Sequence, residues 1–343
     1  MRPLPAMMQA VCLRQVPQGM PQPEDFHLQQ VPVPTAQAGQ VLVRLHWLSL
    51  DPFLRAQLGG RYVTPCPPLG AVIPGYAVGQ VVDDPSGHFA AGTWVTGLLG
   101  WAQYAVAPAA SLQPVDPALC PVSTAVGVLG IPGLTAWAGV RRILEPQPGQ
   151  TILISTAAGA VGSVAGQLCK AAGARVVGLS STPEKCALVT DVYGFDACIN
   201  YRADDFAAAL RAACPQGIDG YFDNVGGSVL ETALSQLALR ARVVLCGLSD
   251  QYNRAQRPAG PNLGPVIGAR ARLEGLVVYD HLADFGACRQ ELAGLITAGQ
   301  LHYREHIHHG LEHAAAGFIG LLRGQNTGKA LVAVAHDGLE QDQ

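Results

Sequence analysis

From Thr151 onward, short β-branched apolar runs alternate with helical stretches, and no other feature constrains the fold as strongly. The runs are TILIST, ARVVGLS, ACINY, IDGYFDN and ARVVLCG. Continuous apolar runs of this length fit strands buried on both faces of a sheet. Between them lie a small-residue helical stretch ending near Lys170, then Thr182-Pro183, a helix cap followed by proline at the first helical position. DDFAAALRAACP and GSVLETALSQLAL also have helical periodicity. Strand–helix alternation predicts a parallel sheet with helices on both faces. LEGLVVYD is expected to be its last strand and FGACRQELAGLITAG the helix that follows.

The chain ahead of this region reads differently. QVLVRLHWLSL, AVGQVVDD and WVTGLLG are strand-like runs set between Gly and Pro turns. The final segment predicts one helix and one strand that return to this first domain. The expected division is residues 1–123, completed by 301–343, around a nucleotide-binding domain at 124–300. A length of 343 residues suffices for two cores. Charged residues make up 14%, well under the roughly 25% usual for soluble domains, which favours a compact, loop-rich enzyme. A net charge of −3 and the lack of a Lys/Arg cluster argue against nucleic acid as a partner. No apolar run is long enough to span a bilayer, and MRPLPAMMQAVCLRQ lacks the apolar core of a secretion signal. Nine scattered cysteines without a C-x-x-C pair fit reduced thiols, and the expected location is cytoplasmic.

The segment STAAGAVGSVAGQ (Ser155–Gln167) follows the first strand of the alternating region and opens its first helix. That is the setting of a dinucleotide-binding turn, in which small residues let the backbone approach the pyrophosphate at a helix N-terminus. Ala158, Gly159, Ala160, Val161 and Gly162 are the candidate contacts. Ala157 stands where the first glycine of G-x-G-x-x-G is usual, which requires its φ to be negative. The next strand ends VVGLSST, without the carboxylate that would hold a ribose 2′-hydroxyl. Ser181, Lys185 and Tyr201 flank this gap, so a 2′-phosphate is expected and NADPH is favoured over NADH. Read alone, Lys185 also fits an ordinary surface lysine.

Nine segments in register along nearly the whole chain carry a resemblance: LSLDPFLRAQL, IPGYAVGQVV, GVLGIPGLTAWAGV, STAAGAVGSVAGQLCKAAG, EKC, GFDACINY, YFDNVGG, CGLSDQYN and GQNTGK. They resemble the medium-chain dehydrogenase/reductase superfamily, in its zinc-free leukotriene hydroxydehydrogenase / prostaglandin reductase branch, with the plant alkenal reductases and bacterial curcumin reductase. The resemblance implies an α/β protein: a GroES-like β-rich domain before a Rossmann doubly wound parallel sheet. It implies NADPH-dependent reduction of the C=C bond of α,β-unsaturated aldehydes and ketones by a homodimer. Tyr252 matches the tyrosine of the family's S-x-Y-N loop, and Tyr279 borders the family's substrate pocket. Asn224, Cys246, Gly247 and Asn326 match positions near the cofactor. The positions of zinc ligands in related alcohol dehydrogenases carry no Cys or His here, so no metal is expected. The family's usual D-P-Y-M reads Asp51-Pro52-Phe53-Leu54, which removes one phenol. HYREHIHHG is expected to be a strand without a ligand role. A zinc-free quinone reductase, or an NADPH-binding protein with a structural or sensing role, stays open beside the enone reductase.

Overall fold

The computed structural model describes residues 4–256 and 258–334. The first half of the chain forms β1 (Met7–Leu13), β2 (Phe26–Pro32), β3 (Gln40–Ser49), α1 (Phe53–Leu58), β4 (Tyr76–Asp83), β5 (Trp94–Leu98), β6 (Tyr104–Pro108) and β7 (Gln113–Pro114). Next come α2 (Ile131–Ala138), β8 (Thr151–Ser155), α3 (Gly162–Ala171), β9 (Arg175–Ser180), α4 (Pro183–Asp191), β10 (Ala197–Asn200) and α5 (Phe206–Ala213). They are followed by β11 (Ile218–Asp223), α6 (Gly227–Leu234), β12 (Leu237–Leu245), α7 (Gly264–Ala269), β13 (Arg272–Gly275) and α8 (Phe285–Thr297). The described chain ends with β14 (Glu305–His309), α9 (Ala314–Leu322) and β15 (Lys329–Ala333).

Two compact units result. One is Val128–Arg304; the other joins the chain up to Gly127 with the chain from Glu305 onward. In the split unit the sheet order is β14-β15-β3-β4-β5-β7, with β6 on β3. Its core is centred on Trp101, Phe318 and Phe26, whose ring centroids lie 5.8–6.2 Å apart. The late segment is therefore integral to this sheet: β15 pairs antiparallel with β3, and β14 parallel with β15.

In the continuous unit the sheet order is β10-β9-β8-β11-β12-β13, and every pairing is parallel. The chain winds outward from β8 to one edge, returns to β11 beside β8, and winds to the other edge. Open sheets of this kind bind ligands at the strand carboxyl ends where the winding reverses, here between β8 and β11. All of β8 is buried, and its apolar residues are at most 1% exposed, as the continuous apolar run required.

The sequence reading needs two corrections. In GSVLETALSQLAL the helix stops at Leu234, and LAL opens β12. In LEGLVVYD only Leu273, Glu274 and Gly275 belong to the last strand, which begins at Arg272. Leu276 still donates its N–H to Leu245 at 3.0 Å, but a 3-10 turn then takes over at Val278–Asp284. The apolar residues of that run point partly inward, with Leu276 and Val278 buried and Val277 exposed. They mark burial beneath a turn rather than a continuous strand.

Candidate functional site

The turn after β8 is determined by close backbone approach. Gly159 donates its N–H to the Thr156 carbonyl at 2.8 Å, and Ala157 donates to Leu179 at 2.9 Å. A Cβ on Gly162 would stand 2.3 Å from the Thr156 oxygen, and one on Gly159 would stand 2.8 Å from Thr156 Cγ2. Neither position admits a side chain, so α3 begins directly against the end of β8. Ala157 keeps a negative φ and is fully buried, which explains why alanine suffices where glycine is usual. The left-handed residue is instead Thr156, at φ +53°, a strained conformation for a β-branched side chain. Ser163 and Ala165 in the first turn of α3 donate their N–H groups to the Gly159 and Val161 carbonyls at 3.1 and 2.9 Å, and the helix dipole places positive charge at the turn. This small-residue cradle fits a dinucleotide pyrophosphate.

Residues from β11 close the other side. Asn224 donates its backbone N–H to Ser155 Oγ at 2.7 Å and its side-chain amide to the Ser155 carbonyl at 2.8 Å. Asp223, fully buried, accepts from Tyr221 Oη at 2.7 Å and from the N–H groups of Val225 and Gly226 at 3.0–3.1 Å. Burial pushes its carboxyl up against the pull of those donors. Cys246 and Gly247 donate their N–H groups to the Asp223 carbonyl at 2.9 and 3.2 Å. Ser155 and Asp223 thus lace together the ends of β8, β11 and β12. Sequence reasoning missed both; the available signal was a polar residue at the end of each buried apolar run.

At the end of β9, Ser181 is half-buried and Thr182 caps α4, its hydroxyl accepting from Lys185 N–H at 3.3 Å. The Glu184 carboxylate is held below its ordinary range by its own backbone N–H and the Thr182 hydroxyl. It is therefore engaged at the cap. Lys185 is half-buried, and burial followed by the charge of Arg202 holds its ammonium below the ordinary value. Tyr201 lies just past β10, its N–H on the Ser180 carbonyl at 3.1 Å. Two cations near each other are relieved by an anion. Arg202 is the third residue that sequence reasoning missed, since an exposed arginine after a strand carries no local signal.

Tyr252 follows a short 3-10 turn, Ser249–Gln251, beyond β12. Its oxygen accepts the Leu248 N–H at 3.4 Å, and Ser249 Oγ donates to the Asn224 carbonyl at 3.0 Å. The phenol therefore lies on the loop tied to the cofactor turn through Asn224. Burial pushes its pKa above the ordinary 10.0, so the proton is retained at neutral pH. Tyr279 lies apart from that loop, in the turn Val278–Asp284, half-buried. Asn326 belongs to the other unit, where its side-chain amide donates to Gly328 at 2.7 Å. Phe53, also in that unit, stacks on Tyr62 with ring centroids 5.1 Å apart. His306 and His308 share a face of β14, centroids 4.9 Å apart. Among the described residues no group of three or more His, Cys, Asp and Glu side chains is placed to hold a metal ion.

Comparison with known proteins agrees with this architecture. Residues 9–115 match the family described as the N-terminal domain of oxidoreductase, and residues 160–295 the family described as zinc-binding dehydrogenase. The NADPH-dependent curcumin reductase of Escherichia coli is 40% identical over 331 residues, 94% of this chain and 95% of that protein. The NADP(+)-dependent 2-alkenal reductase of Nicotiana tabacum is 36% identical over 336 residues, 95% and 97% of the two chains. The crystal structure of CurA from Vibrio vulnificus in complex with NADPH matches with a TM-score of 0.90 and 36% identity, covering 96% of this chain and 99% of that one. The chain therefore belongs to the medium-chain dehydrogenase/reductase superfamily, in the zinc-free branch of the prostaglandin, alkenal and curcumin reductases.

Proposed function

We propose that this protein reduces the C=C bond of α,β-unsaturated aldehydes and ketones with NADPH, without a metal. The observation that carries the reading is the phenol of Tyr252, tied through the Ser249–Asn224 contact to the turn that fits the cofactor. Because its oxygen already accepts the Leu248 N–H, its own proton remains to be given away. The named activities of the relatives support the same chemistry.

Bound NADPH supplies a hydride, which the substrate takes at its β-carbon. The chain has the remaining work. The start of α3 and the small residues Ala158 to Gly162 hold the pyrophosphate, with Asn224, Cys246 and Gly247 as further cofactor contacts. Ser181, Lys185, Tyr201 and Arg202 hold the 2′-phosphate. Tyr252 donates to the carbonyl oxygen as negative charge gathers there, stabilising the enolate that forms. A donor aimed at charge that develops during the reaction acts mainly on the transition state. Tyr279 is assigned to the substrate pocket.

The test is NADPH oxidation with 2-alkenals and phenylbutenone against simple quinones, with the saturated carbonyl product identified. Turnover that persists in EDTA is expected with the enones. Turnover with quinones alone, or none with either, would overturn the reading.

The same reading includes a homodimer formed through β13. This strand is an outer edge of the six-stranded sheet. Beside it Ile267 is 79% exposed and Leu263 53%. An open edge next to exposed apolar side chains favours self-pairing. Light scattering at micromolar concentration is expected to give twice the chain mass; a monomer would refute it.

A further inference from the structure

Tyr252 lies midway between an acid and a base that grip each other. Arg254 Nη2 donates to both oxygens of the Asp250 carboxylate, at 3.0 and 2.8 Å, and Arg254 Nε donates to the Asp250 carbonyl at 3.0 Å. The Arg254 N–H also donates to the Gln251 carbonyl at 3.1 Å. One guanidinium thus holds a side chain and a backbone group of the same residue, with Tyr252 enclosed between the two partners.

Asp250 is seated in its turn on the residues after β11. Its N–H donates to the Val225 carbonyl at 3.0 Å, and a Cβ on Gly227 would stand 2.5 Å from its Oδ2. The carboxylate therefore rests on the first residue of α6, where a helix N-terminus favours negative charge. A Cβ on Gly226 would stand 2.7 Å from Leu248 Cδ2, so the loop lies directly on bare backbone there. Closer to β12, a Cβ on Gly247 would stand 3.2 Å from Tyr252 Oη and 3.3 Å from the Asn224 carbonyl oxygen. The phenol oxygen occupies a gap beside Asn224 that only glycine leaves open.

The ion pair itself does little for stability. The Arg254 and Asp250 side chains are 51% and 30% exposed, and pairs screened by solvent contribute little to folding. A guanidinium fork nevertheless fixes direction as well as distance, which leaves the segment from Asp250 to Arg254 few alternative conformations. Direction matters for a reacting group, since a displacement of about 1 Å costs a large factor in rate.

We propose that the Asp250–Arg254 pair is a positioning device that holds the Tyr252 phenol where it meets the substrate's carbonyl oxygen. The pair then acts on turnover, and not on cofactor binding or on the fold. This role rests on the assignment of Tyr252 as the donor to that oxygen.

The test is a double-mutant cycle in the full-length protein, with phenylbutenone at saturating NADPH. Arg254→Ala is expected to lower kcat about three- to fivefold, the most that an exposed pair commonly contributes, and to leave Tm and NADPH affinity at wild-type values. Arg254→Lys keeps the charge but not the fork, and should fall between. Asp250→Asn should lower kcat in the same direction. In a Tyr252→Phe background, Arg254→Ala should cost nothing further, because the group it orients is gone. Wild-type kcat in Arg254→Ala beside an impaired Tyr252→Phe would overturn the positioning role alone. Equal losses with and without the phenol, or a lower Tm or weaker NADPH binding that accounts for the loss, would overturn it too. Wild-type kcat in Tyr252→Phe would overturn the donor assignment and this role with it.

Discussion

Two loops at the carboxyl ends of the parallel sheet, one after β8 and one after β12, are built on opposite principles. The first is fixed by what cannot be there. Gly162 and Gly159 have no room for a Cβ, Ala157 is sealed, and backbone hydrogen bonds of 2.8 and 2.9 Å hold the turn to itself and to β9. The second is fixed by two side chains, Ser249 on Asn224 and Tyr252 on Leu248 at 3.4 Å, and by one backbone bond, Asp250 N–H on the Val225 carbonyl at 3.0 Å. Leu248 at its start is 39% exposed. A loop of the first kind tolerates almost no substitution, whereas one of the second kind can exchange side chains while the fold persists. That suits a division in which the cofactor end stays constant and the substrate end varies.

The largest effect is expected from Gly162→Ala. Its Cβ meets backbone oxygen at 2.3 Å, which a flexible side chain cannot relieve. Overpacking of this kind costs about 1–3 kcal/mol, read as a lower Tm together with loss of NADPH binding by titration. Wild-type Tm and affinity would show that the turn is far softer than its geometry implies. In the loop after β12, Tyr252→Phe is expected to leave Tm and NADPH affinity unchanged while lowering kcat with enones about 10- to 100-fold. Because burial raises this phenol, the donor stays protonated past pH 10.0, and the alkaline fall in wild-type kcat is expected above that value. Tyr279→Phe serves as the control and should cost far less; a reversed order of the two would exchange their roles.

The strands were legible in the sequence because buried parallel strands leave no room for polar residues, and TILIST becomes β8 almost to the residue. The turn was legible for a related reason, since only small residues satisfy its sterics. Sequence did not disclose Asp223, whose role depends on donors from Tyr221, Val225 and Gly226 converging on one buried carboxylate. It did not disclose Arg202 either, because the repulsion on Lys185 exists only once α4 and β10 are packed together. LEGLVVYD misled for the opposite reason, since a strand end and the start of a 3-10 turn, with Leu276 and Val278 turned inward, have nearly the hydropathy of a strand.

A further effect, on cofactor choice, tests the cations. Lys185→Ala removes a charge-assisted contact of about 1.5–3 kcal/mol, so the KM for NADPH should rise about tenfold or more while NADH kinetics barely move. Arg202→Ala should act in the same direction but more weakly, since its side chain is exposed. Equal losses with both cofactors would mean that these residues support the local fold of α4 instead.

Thr156 sits in a left-handed basin that an isolated threonine would leave at once, at a local cost of order 1–3 kcal/mol. Only its surroundings hold it there, so the turn resembles a drawn catch rather than a relaxed spring. Relaxation is expected to begin at this residue, with the amide protons of Ala157 and Gly159 exchanging earlier than those of β8 itself, as hydrogen exchange would show. A bound anion that occupies the start of α3 would brace the catch. Ligand affinity and local rigidity at this point are therefore two readings of a single strained peptide unit.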